Sequence, residues 1–183
     1  IGEVEMGVNY AMVLSTNAGL WGYNLGDTVQ FISSNPYRVI VSGRIKHFIS
    51  AFGEHVIAKE VEYAMEEALK KTRARVNEFT VAPQISPGEG VLPYHEWFGE
   101  FEKEPEDEAL FKEILDKNLQ EQNSYYFDLI DGSILQPLKL TSIRPGGFQA
   151  YMKSVGKLGG QNKIQRLAND RSLADALVEF RVE

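Results

Sequence analysis

The chain has 183 residues, 43% hydrophobic and 25% charged, with 19 Lys and Arg against 26 Asp and Glu and a formal net charge of −7. That composition is a globular one and excludes disorder, while the length allows one ordinary domain or a small domain plus a piece of another. The lack of cysteine excludes disulfides and a thiol nucleophile, the acidic balance argues against nucleic acid as a partner, and no apolar run reaches the roughly 18 residues of a membrane span.

The chain begins at Ile1-Gly2-Glu3, with no initiator Met, basic leader or apolar leader core. The expectation is a piece of a larger cytoplasmic protein. The first 50 residues read as β. Asn9–Ser15 is an apolar run of strand length, bounded by Asn17-Ala18-Gly19, and Val29–Ser33 with Arg38–Ser42 reads as a hairpin around Ser34-Asn35-Pro36-Tyr37. Gly26-Asp27 and Gly43-Arg44 are expected to break these strands. From Lys59 to Lys71 the period becomes helical, with Val61, Ala64, Met65, Ala68 and Leu69 on one face. Val76–Ala82 and the aromatic Tyr94–Phe101 return to strand character across a Pro- and Gly-rich loop, Pro83–Pro93.

Pro105 is expected to open the next helix, with Glu106, Asp107 and Glu108 at its positive end. Phe111, Ile114, Leu115 and Leu119 form its buried stripe. Asn123–Gly132 fits helix or loop. Leu138–Ile143 reads as a strand, Phe148–Val155 as a helix, and Leu173–Phe180 as a last helix capped through Ser172 and Asp175. Beyond residue 45 the order implies an α+β domain, a small mixed sheet with helices packed on it.

Charge is uneven along this order. Residues 96–128 are dense in carboxylates, whereas Gly132 through Asn169 hold no Asp or Glu and carry Lys139, Arg144, Lys153, Lys157, Lys163 and Arg166 among several glycines. Glycine permits close backbone approach and lysine supplies a mobile cation, which together suit a phosphate-bearing small molecule. The plainer alternative is a set of solvated basic faces. His47, His55 and His95 are scattered, so a structural role is expected and a metal site is not. Glu96 and Glu100 share one side of their strand; paired carboxylates can do acid–base work, but at this spacing they read as a solvated edge. Trp97, Phe98, Phe101 and Phe111 read as core.

Three segments carry a further signal. They are Tyr23-Asn24-Leu25-Gly26-Asp27, then Ser42-Gly43-Arg44 through Ile49, Gly53 and Glu60-Val61-Glu62, and finally Gly160-Gln161-Asn162-Lys163-Ile164-Gln165-Arg166. In this order they resemble motifs of the adenylate-forming superfamily of acyl-CoA synthetases, peptide-synthetase adenylation domains and luciferases. Gly22–Asp27, Tyr94–Phe101 and Gly160–Ile164 most resemble the auxin-responsive acyl acid–amido synthetases, in particular their bacterial relatives. The sequence departs from the wider superfamily's commonest pattern at Lys46 (usually Asp, sometimes Lys), Ser50 (usually Lys) and Asn162 (usually Gly), which points away from the thioester-forming branch.

The resemblance implies a β-rich end of a large N-terminal domain over residues 1–45. A mobile C-terminal domain would follow over 46–183, with a hinge near Lys46. It implies that Asp27, with Tyr23 in the same motif, holds the ribose of ATP, that Arg44 contacts the nucleotide, and that Lys163 reaches the reacting phosphate and carboxylate. The implied chemistry is ATP-dependent activation of a small carboxylic acid, then transfer of its acyl group to an amine, by resemblance an amino acid. The main sites for ATP and Mg would lie upstream, so this chain alone is expected to be inactive. A non-catalytic regulatory or protein-interaction domain of the same fold is the alternative. Neither a nucleic-acid nor a membrane partner is expected, and strands 1–45 could pair with a second copy to give a dimer.

Overall fold

The computed structural model describes residues 2–44, 48–157, 159 and 162–182, and the chain divides into two units, Ile1–Phe48 and Ile49–Glu183. Lys46 lies outside the described residues. In the first unit, β1 (Asn9–Leu14), β2 (Tyr23–Ser34) and β3 (Tyr37–Arg44) form an antiparallel sheet in the order β1-β2-β3. Gly26-Asp27 does not break its strand as expected, because β2 runs through it, while β3 ends at Arg44. Pairing along β1 passes from Ala11↔Thr28 to Val13↔Asn24, so Leu25, Gly26 and Asp27 bulge out of register. Gly26 supplies the left-handed conformation this needs (φ 80°), and the Asn24 side chain accepts its N–H at 2.9 Å. The irregularity is absorbed as a bulge rather than as a chain end.

At the boundary between the units comes a ribbon of β4 (Phe48–Ile49) and β5 (Val56–Ile57), followed in the second unit by α1 (Ala58–Thr72). That unit's main sheet contains β6 (Arg75–Gln84), β7 (Tyr94–Lys103) and β8 (Lys139–Ile143), in the order β6-β7-β8. β6 and β7 form an antiparallel hairpin. β7 and β8 run parallel, which requires a crossover; α2 (Glu108–Gln122) and α3 (Ser124–Asp131) supply it. The segment 123–132, compatible with helix or loop in sequence, is therefore helical. α4 (Gly147–Ser154) and α5 (Ser172–Leu177) complete an α+β unit, with α5 tightening into a 3₁₀ turn over Val178–Phe180.

Strand alternation divides the core. Phe79, Val81, Trp97 and Phe101 face α1 and α2, where they join Val61, Ala64, Met65, Ala68, Phe111, Leu115 and Leu119. Ala82, Phe98 and Ile143 face the other way and pack with Phe148, Ala174 and Leu177. The four aromatic residues expected in the core are all buried.

Both edges of this sheet are covered by short pieces of backbone. Val81 N–H donates to Arg166 O and Ala168 N–H to Val81 O, each at 3.0 Å, on the β6 edge. Arg144 N–H donates to Phe180 O at 2.8 Å and Val182 N–H to Ser142 O at 2.9 Å on the β8 edge. An unpaired strand edge invites association, and here the chain closes its own.

Candidate functional site

Lys163 stands three residues before the backbone that pairs with β6. That segment is fastened at successive points. The Thr80 hydroxyl donates to Gln165 O at 2.7 Å, and Val81 brackets Arg166 and Ala168. The Arg166 guanidinium donates from Nη1 to Glu78 Oε1 at 2.5 Å and to Phe79 O at 2.6 Å, and it lies 4.0 Å over the Phe79 ring. Phe79 is in turn stacked on Trp97, 5.9 Å between centroids. Lys163 is thus an exposed, flexible side chain on a well-anchored root.

Beside it is a hollow of about 360 Å³, lined by Lys157, Lys163, Glu78, Glu100, Phe148 and Met152 among others. Its carboxylates are already engaged. Glu78 accepts from Arg166, and Glu100 Oε2 accepts the Phe148 N–H at 3.2 Å in the first turn of α4. The ammonium groups of Lys157 and Lys163 make no hydrogen bond or ion pair with a described residue. A hollow with occupied carboxylates and free lysines is suited to an anionic ligand. Gly160 and Gln161 lie outside the described residues.

Glu96 and Glu100 do not form a solvated edge, because β7 is the central strand. Glu96 accepts from Arg171 Nη2 and from the Thr141 hydroxyl, each at 2.8 Å, and Glu100 is buried. Burial lowers the Arg171 pKa, but its hydrogen bonds to Glu96 and Asp175 outweigh that and raise it above the usual range. Asp175 therefore serves Arg171 rather than capping α5; the Ser172 N–H is taken by Asp170 at 2.9 Å.

The Glu60-Val61-Glu62 segment joins the same construction. Glu60 Oε2 accepts the Ile57 N–H at 2.9 Å, capping α1, and also the Asn123 side-chain amide at 3.1 Å. Glu62 approaches Arg166 Nε at 3.6 Å. In the first unit, Asp27 and Arg44 are direct partners in the β2–β3 register, and Tyr23 lies four residues earlier, paired with Leu14 and half exposed. Glu78 and Thr80 were not foreseen, and Glu100 was read as solvated rather than as part of this site.

Residues 59–172 match the GH3 family C-terminal domain, and residues 1–44 match the GH3 family central domain. The jasmonoyl–L-amino acid synthetase GH3.5 of Oryza sativa subsp. japonica is 29% identical over 178 residues, 91% of this chain and 30% of that protein. The indole-3-acetic acid-amido synthetase GH3.10 of Arabidopsis thaliana is 26% identical over 174 residues, 90% of this chain and 29% of that protein. Among solved structures, a GH3.15 acyl acid amido synthetase superposes with a TM-score of 0.73 at 18% identity, over 99% of this chain and 35% of its own. The chain spans about a third of the length of the curated relatives it matches.

Proposed function

This chain belongs to the GH3 family, and on that premise we propose that it is the C-terminal portion of an ATP-dependent acyl acid amido synthetase, inactive by itself. In the first step a carboxylate oxygen of the acid attacks the α-phosphorus of ATP. The bond from that phosphorus to the bridging oxygen breaks, and pyrophosphate leaves with the electron pair. In the second step the nitrogen of an amino acid attacks the acyl carbon, AMP leaves with the electrons of the anhydride C–O bond, and the nitrogen loses its proton to solvent.

Lys163 supplies charge in the first step. Negative charge accumulates on the oxygens around phosphorus, and a preorganised ammonium gains most in a site that excludes water. Asp27 accepts the two ribose hydroxyls, and Arg44, beside it in the register, contacts the nucleotide, with Tyr23 in the same segment. Rotation at Lys46 carries Lys163 to and from the nucleotide between the steps. In this reading magnesium is held by the remainder of the enzyme.

The observation that supports this most directly is an unpaired lysine on a root anchored to the β6 edge. The test uses the full-length protein with indole-3-acetic acid and jasmonic acid, the acids named for the two plant relatives, and 2,4-DB, with which a GH3.15 acyl acid amido synthetase has been solved in complex. Lys163→Ala should reduce acid-dependent ATP–pyrophosphate exchange by about 10²–10³-fold, while amide formation from a supplied acyl-adenylate stays within about twofold. Two unaffected half-reactions would overturn the assignment.

A further inference from the structure

We propose that Arg166 is a positioning residue for Lys163, acting by occupying the Glu78 carboxylate. This rests on the reading of Lys163 given above. Glu78 and Lys163 line the same hollow, and an ammonium beside an unoccupied carboxylate is drawn to it. A Lys163 paired with Glu78 would have to break that contact before serving an anionic substrate. The structure places a stronger competitor there.

The guanidinium of Arg166 presents a planar fork of donors that matches a carboxylate. Nη1 donates to Glu78 Oε1 and to Phe79 O, the guanidinium carbon lies 4.0 Å from the centre of the Phe79 ring, and Nε approaches Glu62 at 3.6 Å. Its root is fixed by the pairing with Val81. Arg166 is therefore held on several sides, whereas Lys163 has only a flexible stem, so the carboxylate goes to arginine and the lysine stays available. The pairing also explains why an acidic residue is tolerated at position 78, in a hollow suited to anions.

Simple scaffolding would make Arg166 matter in another way, by holding the loop. The two roles differ in what happens when Glu78 is also neutralised. If Arg166 acts by occupying Glu78, removing the carboxylate makes the arginine partly dispensable. If it only holds the loop, losing Glu78 removes one more support and helps nothing.

The experiment uses the full-length protein and the most active acid of the three named above. Arg166→Ala should lower pyrophosphate exchange at least tenfold and leave amide formation from a supplied acyl-adenylate within twofold. Adding Glu78→Gln to it should then restore exchange at least threefold. Should Arg166→Ala fail to fold, Arg166→Gln, which keeps length and a donor but no charge, carries the same comparison. Exchange unchanged in the Arg166 variant, or no recovery with Glu78→Gln, overturns the proposal while Lys163→Ala still reports on the underlying reading. If Lys163→Ala itself leaves exchange intact, that reading falls and this inference with it.

Discussion

Glu54 and His95 are both fully buried and share a hydrogen bond, His95 Nε2 to Glu54 Oε1 at 2.9 Å. The second carboxylate oxygen accepts the Phe52 N–H at 2.8 Å, and the His95 ring stacks on Tyr126. Burial would raise the Glu54 pKa. The hydrogen bond and charge of His95, with the backbone N–H groups of Glu54 and Phe52, outweigh burial and hold it below its ordinary value of 4.5. A carboxyl whose folded pKa is depressed stabilises the fold above its unfolded pKa, and loses that share as pH falls through the folded one. Glu54→Gln should therefore cost about 1–3 kcal/mol at pH 7. The gap to the parent chain should close as pH falls below 4.5, as read by urea unfolding from neutral to acid pH. A gap independent of pH would mean that the Glu54 charge contributes nothing to stability. At this scale the sequence was informative about kind and silent about pairing. The structural role expected for His95 is what it has, but a contact 41 residues away leaves no local signal. Glu96 and Glu100 do share one side of β7, but their environment is set by Thr141 and Phe148, 45 and 48 residues further on, which local spacing does not report.

Helices show the same division at the scale of elements. α1 was legible almost to the residue, since its apolar face and its flanking charges report one local geometry. The start of α2 was not. Pro105 suggested a first helical position, yet the helix begins at Glu108, because the Asp107 side chain accepts the Leu110 N–H at 2.9 Å and the Asp107 carbonyl accepts from Phe111. An aspartate that satisfies an otherwise orphaned donor fixes the boundary more firmly than a proline that merely tolerates one. Asp107→Ala should then destabilise the chain by about 1 kcal/mol, measured as a shift of the urea midpoint at constant slope. A variant with an unchanged midpoint would show that the cap is redundant with the packing of Phe111.

For the molecule as a whole, burial is distributed very unequally. Residues 49–183 hold two apolar clusters on opposite faces of one sheet, with Trp97, Phe98, Phe111, Leu115, Leu119 and Tyr126 fully buried. In residues 2–48, Val29 is the only described apolar side chain that is buried, and Trp21 is 91% exposed. The charge pattern gains meaning at this scale too. The acid-free stretch forms β8, α4 and the Lys163 segment, and the carboxylates that balance it come from β6 and β7. Linear charge counting could not reveal that juxtaposition. A three-stranded sheet without an apolar layer cannot offset the entropy of ordering its backbone, whereas a unit of about 135 residues with a closed core and covered edges can. Residues 49–183 produced alone should therefore unfold in one cooperative transition, with a midpoint close to that of the same unit in the 183-residue chain. Residues 1–48 produced alone should show no cooperative transition in circular dichroism. Thermal scans of the three polypeptides decide the matter. If residues 49–183 melt without cooperativity, their stability depends on the first 48 residues, and the inequality in burial is not what governs folding.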